Sequence, residues 1–274
     1  MRLAGSIAEV LIRGGGDLGS GVALRLNRVG LRVAISEQAQ PLMVRRYVSF
    51  AEAIYRGEFS VEGVTARRAS DLEELGAILD QEMIPVIVDP YIELLKYLTP
   101  LVIVDARMTK RSPDLGKEAS RLVVGLGPGF IAGKNCHAVV ETHRGHTLGR
   151  VIWDGVALKD TGIPDGVLNR QAERVLRSPT EGILRTYAEI GDILEEGQLI
   201  AEVAGLPVFS PFRGVLRGLL YPDLYVKTGL KIGDVDPRAD PLFCTMVSDK
   251  SLAIGGGVLE AILSQSEIRA HLWS

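Results

Sequence analysis

The first half of the chain alternates short apolar runs with glycine turns and helical periodicity. The run EVLIR ends directly on the turn GGGDLGSG, after which apolar residues recur at helical spacing before a second run, LRVAIS. Strand, glycine turn, helix and strand within about thirty residues predict a βαβ unit. The later runs IPVIVD and PLVIVDA are nearly continuous, as is typical of strands buried on both faces of a parallel sheet. These patterns predict an α/β class: a doubly wound, Rossmann-like domain over residues 1–174.

The second half changes character and contains an internal repeat. Residues 178–200 and 210–232 match at seven positions of 23 when shifted by 32, without a gap. Each copy is typical of strand, turn and strand. We therefore expect a small all-β domain over 175–247, similar to the barrel-sandwich hybrid of biotinyl and lipoyl carriers. The link between the copies, 201–209, has no lysine, which favours a docking surface over a swinging arm.

The last segment, 248–274, is predicted to be helical and to pack back on the first domain. Its triple glycine, Gly255–Gly257, is unfavourable inside a helix by about 1 kcal/mol per residue relative to alanine. Such a cost suggests close packing against another element. A simple break between two helices is the alternative.

Composition narrows the classes of function. Of 274 residues, 46% are apolar and 24% charged, and the net charge of −3 gives no electrostatic attraction for nucleic acid or an anionic membrane. The apolar runs are too short for a secretory signal or a membrane helix. Two cysteines cannot form a disulfide framework. We expect a cytoplasmic protein without nucleic-acid or membrane partners; homo-oligomerisation stays open.

The glycine turn has the pattern G-x-G-x-x-G between a strand and a helix. Without Cβ atoms, its backbone can approach a pyrophosphate at the helix N-terminus, and an acid ending the second strand can bind a ribose diol. A second loop, GLGPGF, is expected at the same edge, as are the cations of DARMTKR. A turn needing glycine only for packing is the alternative, and Asp17 would repel a diphosphate. The expected dinucleotide-binding residues are Gly14, Gly15, Gly16, Asp17, Gly19, Ser20, Glu37, Gly127 and Gly129.

Three of the four histidines lie between Cys136 and Arg150, in CHAVVETHRGHTLGR. Nothing in this stretch matches a zinc template such as H-E-x-x-H, so we predict no metal. A ligand-facing sheet edge is the favoured interpretation, since the planar guanidinium of an arginine suits a phosphate or carboxylate. The catalytic candidates are His137, Glu141, Arg144 and His146.

Taken together, these motifs resemble the YqeB family of selenium-dependent molybdenum hydroxylase system proteins, distantly related to XdhC-type maturation factors. The resemblance spans nearly the whole chain. It is carried by GGGDLGSG (14–21), RRYVSFAEAIYRGEFSVEGV (45–64), GLGPGF (125–130), ETHRGHTLGR (141–150) and SDKSLAIGGGVLEA (248–261). The family's glycine loop usually has alanine where this chain has Gly15 and Gly19.

The resemblance implies an accessory role in maturing or loading the cofactor of a molybdenum hydroxylase, whose apoenzyme would be the partner. Molybdopterin dinucleotide or an NAD(P)-like dinucleotide would be the ligand, and Cys136 or Cys244 could handle sulfur or selenium if either is not simply buried. Two alternatives stay open. An NAD(P)-dependent oxidoreductase would use His137 or His146 for proton transfer, and a non-catalytic scaffold would use only the β domain.

Overall fold

A computed structural model describes residues 8–109, 112–159 and 173–272, and its contacts divide the chain into two units. The first unit consists of 1–41, 50–160 and 247–274. The second consists of 42–49 and 161–246. Segment 42–49 therefore belongs to the second unit although it lies deep within the sequence expected to form the first. Lys110 and Arg111 of the basic loop lie outside the described residues.

The first unit is built on one sheet, to which nine strands contribute among the described residues. Its order is β3-β4-β5-β2-β1-β6-β7-β8-β9. The strands are β1 Val10–Arg13, β2 Val33–Glu37, β3 Glu58–Val61, β4 Val64–Ala69, β5 Ile84–Val88, β6 Val102–Asp105, β7 Leu122–Leu126, β8 Ala138–Val140 and β9 Val151–Ile152. Its helices are α1 Asp17–Arg28, α2 Ala53–Arg56, α3 Leu72–Leu79, α5 Asp249–Ser264 and α6 Ser266–Leu272, whereas α4 Leu242–Thr245 belongs to the second unit.

The expectation of a Rossmann-like parallel sheet is wrong, because the sheet is mixed. Both edge strands are antiparallel to their neighbours: β3 pairs with β4, and β9 pairs with β8. Only α1 and α3, of the described helices, connect parallel strands of this sheet as full crossover helices. The connection from β7 to β8 has no helix, and the described parts of those around β6 contain only 3-10 turns, at Glu93–Lys96 and Lys117–Ala119. The individual strands and helices predicted from sequence are present, but they do not make that class of fold.

Both faces of the central strands are buried, which explains their continuous apolar runs. One face carries residues of seven strands and packs against α3 through Leu75, Ile78 and Leu79. The strand residues on this face are Leu11, Ala34, Ala69, Ile87, Ile103, Val123 and Val139. Asp71 begins α3 as its N-cap, because its side chain accepts a hydrogen bond from the Glu74 amide at 2.8 Å.

The second unit contains two four-stranded sheets, ordered β10-β17-β15-β12 and β14-β13-β11-β16. Its strands are β10 Val175–Arg177, β11 Gly182–Thr186, β12 Ile193–Leu194, β13 Leu199–Val203, β14 Leu206–Phe209, β15 Gly214–Leu219, β16 Tyr225–Val226 and β17 Lys231–Asp236. The sequence repeat is visible in the pairing. In the first copy β11 pairs with β13, and in the second β15 pairs with β17. Two other pairs join strands of different copies, β11 with β16 and β15 with β12.

The expectation of a barrel-sandwich hybrid of the biotinyl and lipoyl type is also wrong as a description of this unit. Two further strands, β10 and β14, extend the sheets that the repeat forms. The distant segment 42–49 packs with them: Arg46 donates from Nε to the Leu219 carbonyl at 2.8 Å, and Val44 fills the space beside Gly218. The repeat therefore lies within a larger unit whose parts come from two regions of the sequence.

The triple glycine of α5 lies at close backbone contacts within the first unit. A Cβ on Gly255 would lie 2.7 Å from the Gly21 carbonyl oxygen of α1, and one on Gly257 would lie 2.1 Å from the Gly149 carbonyl oxygen. Gly21 in turn faces Ser251, whose backbone oxygen would lie 2.7 Å from a Cβ there. The close packing predicted from the cost of the glycines is confirmed at Gly255 and Gly257, and the contact at Gly255 holds α5 beside α1.

By length and composition alone, the stretch Leu242–Ser264 could cross a membrane. Within it, however, the described α5 buries Ile254, Val258, Ala261 and Ile262 against the protein. A cytoplasmic location stays a prediction.

These contacts generate the first testable prediction. Gly255→Ala and Gly257→Ala should each lower the free energy of unfolding by about 1–3 kcal/mol, because the added methyl group cannot be accommodated without moving backbone. Gly256 is the matched control, since nothing lies within 4 Å of its Cβ position. Gly256→Ala should stabilise the helix by up to about 1 kcal/mol. Denaturant unfolding of the three variants checks this, and equal effects at all three positions would contradict it.

Candidate functional site

The carboxyl ends of β1, β6, β7 and β8 meet at one edge of the sheet, because these strands are parallel. Their following loops touch one another. A Cβ added at Gly14 would lie 3.4 Å from the backbone of Arg107. One added at Gly127 would lie 3.3 Å from the Met108 side chain and 2.4 Å from Thr142 Oγ1. Connections leave in opposite directions from β1 and β6 at this edge. Such a switch point is where open α/β sheets usually bind ligands.

The first glycine turn is held tightly by its own surroundings. Gly14 has φ +95°, and a Cβ on Gly19 would lie 2.0 Å from the Gly14 carbonyl oxygen. A Cβ added at Gly15 would lie 3.0 Å from the Ala51 amide nitrogen. Ser20 is fully buried, donates to the Gly15 carbonyl and accepts from the Phe50 amide, both at 2.8 Å. Packing alone is therefore sufficient to require glycine here.

Glu37 occupies the position where a ligand was expected to bind the turn. Its Oε2 accepts a hydrogen bond from the Gly15 amide at 2.7 Å, and its Oε1 accepts from the Gln38 amide at 2.7 Å. Burial raises the pKa of Glu37, although these two hydrogen bonds act in the opposite direction. The acid predicted to bind ribose thus binds an amide predicted to bind phosphate. A diphosphate could reach the Gly15 amide only by displacing Glu37.

Asp17 and Gly16 begin α1. Gly16 is the N-cap residue, with an extended backbone and no side chain to cap the helix. Asp17 supplies negative charge to the first turn, which complements the helix dipole. Its Oδ1 also accepts a hydrogen bond from Ser251 Oγ at 2.7 Å, so its carboxylate connects α1 to α5.

Four charged residues lie beside the turn, and one of them, Arg107, is a cation of DARMTKR that the sequence analysis expected at this edge. Arg13 ends β1 and is 1% exposed, and Asp105 ends β6 directly opposite it. Arg107 donates to Asp105 from Nε at 3.0 Å and Nη2 at 2.6 Å. Asp114 accepts from Arg13 at 2.6 and 3.1 Å and from Arg107 at 2.8 Å. A sequence signal existed: Arg13 and Asp105 are charges that end otherwise apolar strands.

Hydrogen bonds from Arg13 and then from Arg107 hold the pKa of Asp114 far below its ordinary value, despite some burial. Burial works to lower the pKa of Arg107, but its hydrogen bonds to Asp105 and Asp114 raise it overall. Arg107 and Asp114 are therefore both charged at neutral pH. The formal charges of the two arginines and two aspartates cancel.

Glu141, a catalytic candidate, organises the loop that follows β8. Its carboxylate is 2% exposed and accepts hydrogen bonds from three amides, those of Thr142 and His143 at 2.7 Å and Leu158 at 2.8 Å. The three backbone donors satisfy the hydrogen-bonding capacity that this buried carboxylate would otherwise lose. These bonds give Glu141 a structural role at the carboxyl edge, whatever else it does.

Arg144 and His146 lie farther along the same loop. Arg144 forms a two-pronged ion pair with Asp249 in the first turn of α5, at 2.6 and 2.8 Å. His146 is exposed, and its carbonyl accepts from Arg150 Nε at 3.3 Å. The loop is thus joined to α5, which places Arg144 near the edge at which α1 also begins.

His137 lies apart from the other three catalytic candidates, at the amino end of β8. Its Nδ1 accepts a hydrogen bond from the Val123 amide at 2.9 Å. Four residues of near-extended chain separate it from Glu141, a span of about 13 Å at 3.3 Å per residue. Burial, and then the charge of Lys117, lower the pKa of His137. It is therefore a neutral structural histidine and cannot serve the glycine turn.

The second glycine loop is shaped by Phe130 and Thr142. Gly127 and Gly129 both have positive φ, +69° and +108°, and Gly127 donates from its amide to the Val140 carbonyl. The ring of Phe130 lies against Gly125, and a Cβ added at Gly125 would lie 2.1 Å from the nearest ring atom. The loop lies at the predicted edge, but packing at Gly125 and Gly127 and the positive φ of Gly129 already account for its glycines.

Both cysteines are buried. Burial raises the pKa of Cys136 to about 11 and also raises that of Cys244. A thiol in this state is a weak nucleophile at neutral pH. Within 8–109, 112–159 and 173–272, no group of three or more histidine, cysteine or acidic side chains is placed to hold a metal ion.

His137 yields a pH-dependent prediction. Its folded pKa lies below that of an unfolded histidine, so the unfolded chain binds more protons between the two values and stability falls as pH decreases through about 6.5. His137→Gln should cost about 1 kcal/mol at pH 7, from the altered hydrogen bond, and should reduce the loss of stability between pH 7 and 5. Denaturant unfolding at several pH values measures both. The exposed His146→Gln is the control and should keep the full slope; an unchanged slope in His137→Gln would refute the assignment.

Comparisons with known proteins place this geometry in context. No protein-family model matches the chain. Three similar solved structures are an aspartoacylase family protein from Mesorhizobium loti, the ectoine utilization protein EutE from Ruegeria pomeroyi, and a succinylglutamate desuccinylase/aspartoacylase from Rhodobacter sphaeroides. Their identities are 10, 10 and 14% and their TM-scores 0.28, 0.25 and 0.27. Each alignment covers 83% of this chain and 85, 86 and 85% of the respective neighbour.

At these TM-scores the likeness carries no argument about chemistry. The Rossmann-type nucleotide-binding expectation is contradicted by the mixed sheet itself.

Sequence comparison is more informative. The uncharacterized protein YqeB of Escherichia coli (strain K12) is 46% identical over 254 residues, which is 93% of this chain and 47% of that protein. The chain therefore spans about half the length of its curated relative. This identity supports the expected YqeB family: nearly the whole chain is related to about half of the Escherichia coli protein.

Proposed function

We propose that the chain is an accessory factor in the maturation of a selenium-dependent molybdenum hydroxylase. In this role it holds a small anionic ligand at the carboxyl edge of the sheet and docks on the hydroxylase apoenzyme through its second unit. The accessory role comes from the family resemblance, and the location of the ligand comes from the geometry of the edge.

The observation that carries the proposal is the position of the two arginines at the switch point. Arg13 is buried at the end of β1. Arg107 lies against the glycine turn, where its Cα would be 3.4 Å from a Cβ added at Gly14. Guanidinium groups at the mouth of an open sheet suit ligands that carry phosphate or carboxylate groups. A cofactor precursor that carries phosphate meets this requirement.

A molybdopterin dinucleotide, or an NAD(P)-like one, stays a prediction as the ligand. The glycine turn does not strengthen it, because Glu37 already accepts the hydrogen bond of the Gly15 amide. The oxidoreductase alternative is weakened further, because His137 lies at the other end of β8 and its Nδ1 is bound to the Val123 amide.

Docking is supported by apolar side chains on the surface of the second unit. Ile183 of β11 and Tyr225 of β16 pair directly across neighbouring strands, and both are about half exposed, at 46% and 57%. An exposed pair of a large aliphatic and an aromatic side chain is typical of the anchors in protein interfaces.

The accessory role predicts a defect in the partner. In a host that has a selenium-dependent molybdenum hydroxylase but lacks this protein, the hydroxylase should accumulate with little molybdenum and selenium. The full-length protein should restore both, measured by elemental analysis of the purified hydroxylase. Normal metal and selenium content without the protein would refute the proposal.

Docking predicts a separate loss. Ile183→Ser combined with Tyr225→Ser should weaken co-purification of the hydroxylase apoenzyme by roughly tenfold or more, as expected for an interface anchor. Ile193→Ser is the matched control, because Ile193 is also exposed but lies in the other sheet, opposite Val215. Equal retention by the double variant and the control would place the dock elsewhere.

A further inference from the structure

At the switch point, the cation Arg13 is buried, whereas the carboxylate nearest to it is exposed. Arg13 is among the largest fully buried side chains, with its guanidinium at the end of the central strand β1. A buried cation is costly unless a carboxylate or another anion is close by. The question is therefore which anion neutralises Arg13, and whether that anion is a permanent part of the core.

Asp105 is the permanent partner, but it serves mainly Arg107. Asp105 is 4% exposed and lies directly opposite Arg13 in register. Arg107 reaches it at 2.6 and 3.0 Å, whereas Arg13 reaches it from Nη1 only at 3.2 Å. The nearest anion to Arg13 is Asp114, at 2.6 Å from Nη1, with a second contact of 3.1 Å from Nη2.

Asp114 belongs to no strand or helix, and its side chain is 55% exposed. Its two oxygens are shared between the guanidinium groups of Arg13 and Arg107. This is the geometry in which paired arginines bind a phosphate or carboxylate group from a ligand. A solvent-accessible carboxylate on a loop thus fills an oxyanion position whose cationic walls belong to the sheet edge.

The second unit offers a contrasting arrangement. There Asp234 and Asp236 are 1% and 0% exposed within β17, and Arg217 reaches both from a position nearer the surface. That network also contains a buried cation, Arg174, which contacts the buried Asp234 at 3.0 Å, so buried carboxylates neutralise it. Around Arg13 the nearest carboxylate, Asp114, is instead the accessible group.

We propose that Arg13 and Arg107 form an oxyanion-binding site that Asp114 occupies when no ligand is bound, and that a phosphate or carboxylate group of the ligand displaces Asp114. The exchange replaces one anion by another, so Asp105 and the ligand still neutralise the two arginines. The inference deepens the proposed function by naming the chemistry of its ligand, and it rests on that function for its biological role.

The test is calorimetric titration of the whole chain with inorganic phosphate, pyrophosphate and acetate. Asp114→Asn removes the tethered competitor, whose effective concentration is of the order of millimolar or more, so phosphate should bind the variant roughly tenfold or more tightly than the unsubstituted protein. Adding Arg107→Gln to this variant should abolish the gain. Preference for phosphate over acetate would identify a phosphate-bearing ligand, and the reverse preference a carboxylate-bearing one.

Asp80→Asn is the matched control, because Asp80 is an exposed partner of Arg32 away from the edge, and its loss should leave anion binding unchanged. A folded Asp114→Asn variant that binds no anion more tightly would overturn the inference.

A second measurement applies if Asp114→Asn does not fold. In the unsubstituted protein, saturating phosphate should accelerate amide hydrogen exchange in segment 112–116, and unchanged exchange would equally overturn the inference. These outcomes are independent of hydroxylase maturation. Anion binding without any effect on the hydroxylase would refute the proposed function and leave the site intact.

Discussion

The structure depends on neutralising a guanidinium that is buried at the end of its central strand. Arg13 is held at the switch point by the register of β1 against β6, which places Asp105 opposite it. Breaking such a pair leaves an uncompensated buried charge, which is strongly destabilising. The loops that surround it, at Gly14, Arg107 and Asp114, are arranged by this requirement. The charged groups that stabilise the edge therefore also allow it to bind anions.

Close backbone packing supports that edge from one side. Helices α1 and α5 approach at Gly21 and Gly255, and the loop after β8 is held against α5 at Gly149 and Gly257. Because of these contacts, α1 and α5 begin near one another, connected by the hydrogen bond from Ser251 to Asp17. A segment from the end of the sequence thus completes the edge formed by its beginning.

The sequence patterns predicted the positions of the strands and helices more accurately than the way these elements assemble into a fold. The apolar runs before Gly14 and around Val86 and Val104 are strands, as predicted, and the shift of 32 residues relates β11 to β15 and β13 to β17. The class of fold was wrong because antiparallel edge strands and the addition of 42–49 leave no periodic signal. Gly14 and Gly127 predicted a ligand site. Close packing and phosphate binding both require glycine, however, so the sequence does not distinguish between them.

The sequence by itself determined where strands, turns and repeats occur, since burial on both faces and positive φ each restrict the residue types allowed. It also determined the family resemblance. Only the tertiary structure decided which charges meet: that Glu37 binds the Gly15 amide, that His137 lies far from Glu141, and that Asp114 reaches Arg13. The two contacts join residues 22 and 101 positions apart, and His137 and Glu141 lie at opposite ends of one strand. The pairing of strands fixes such distances, and no local pattern in the sequence contains them.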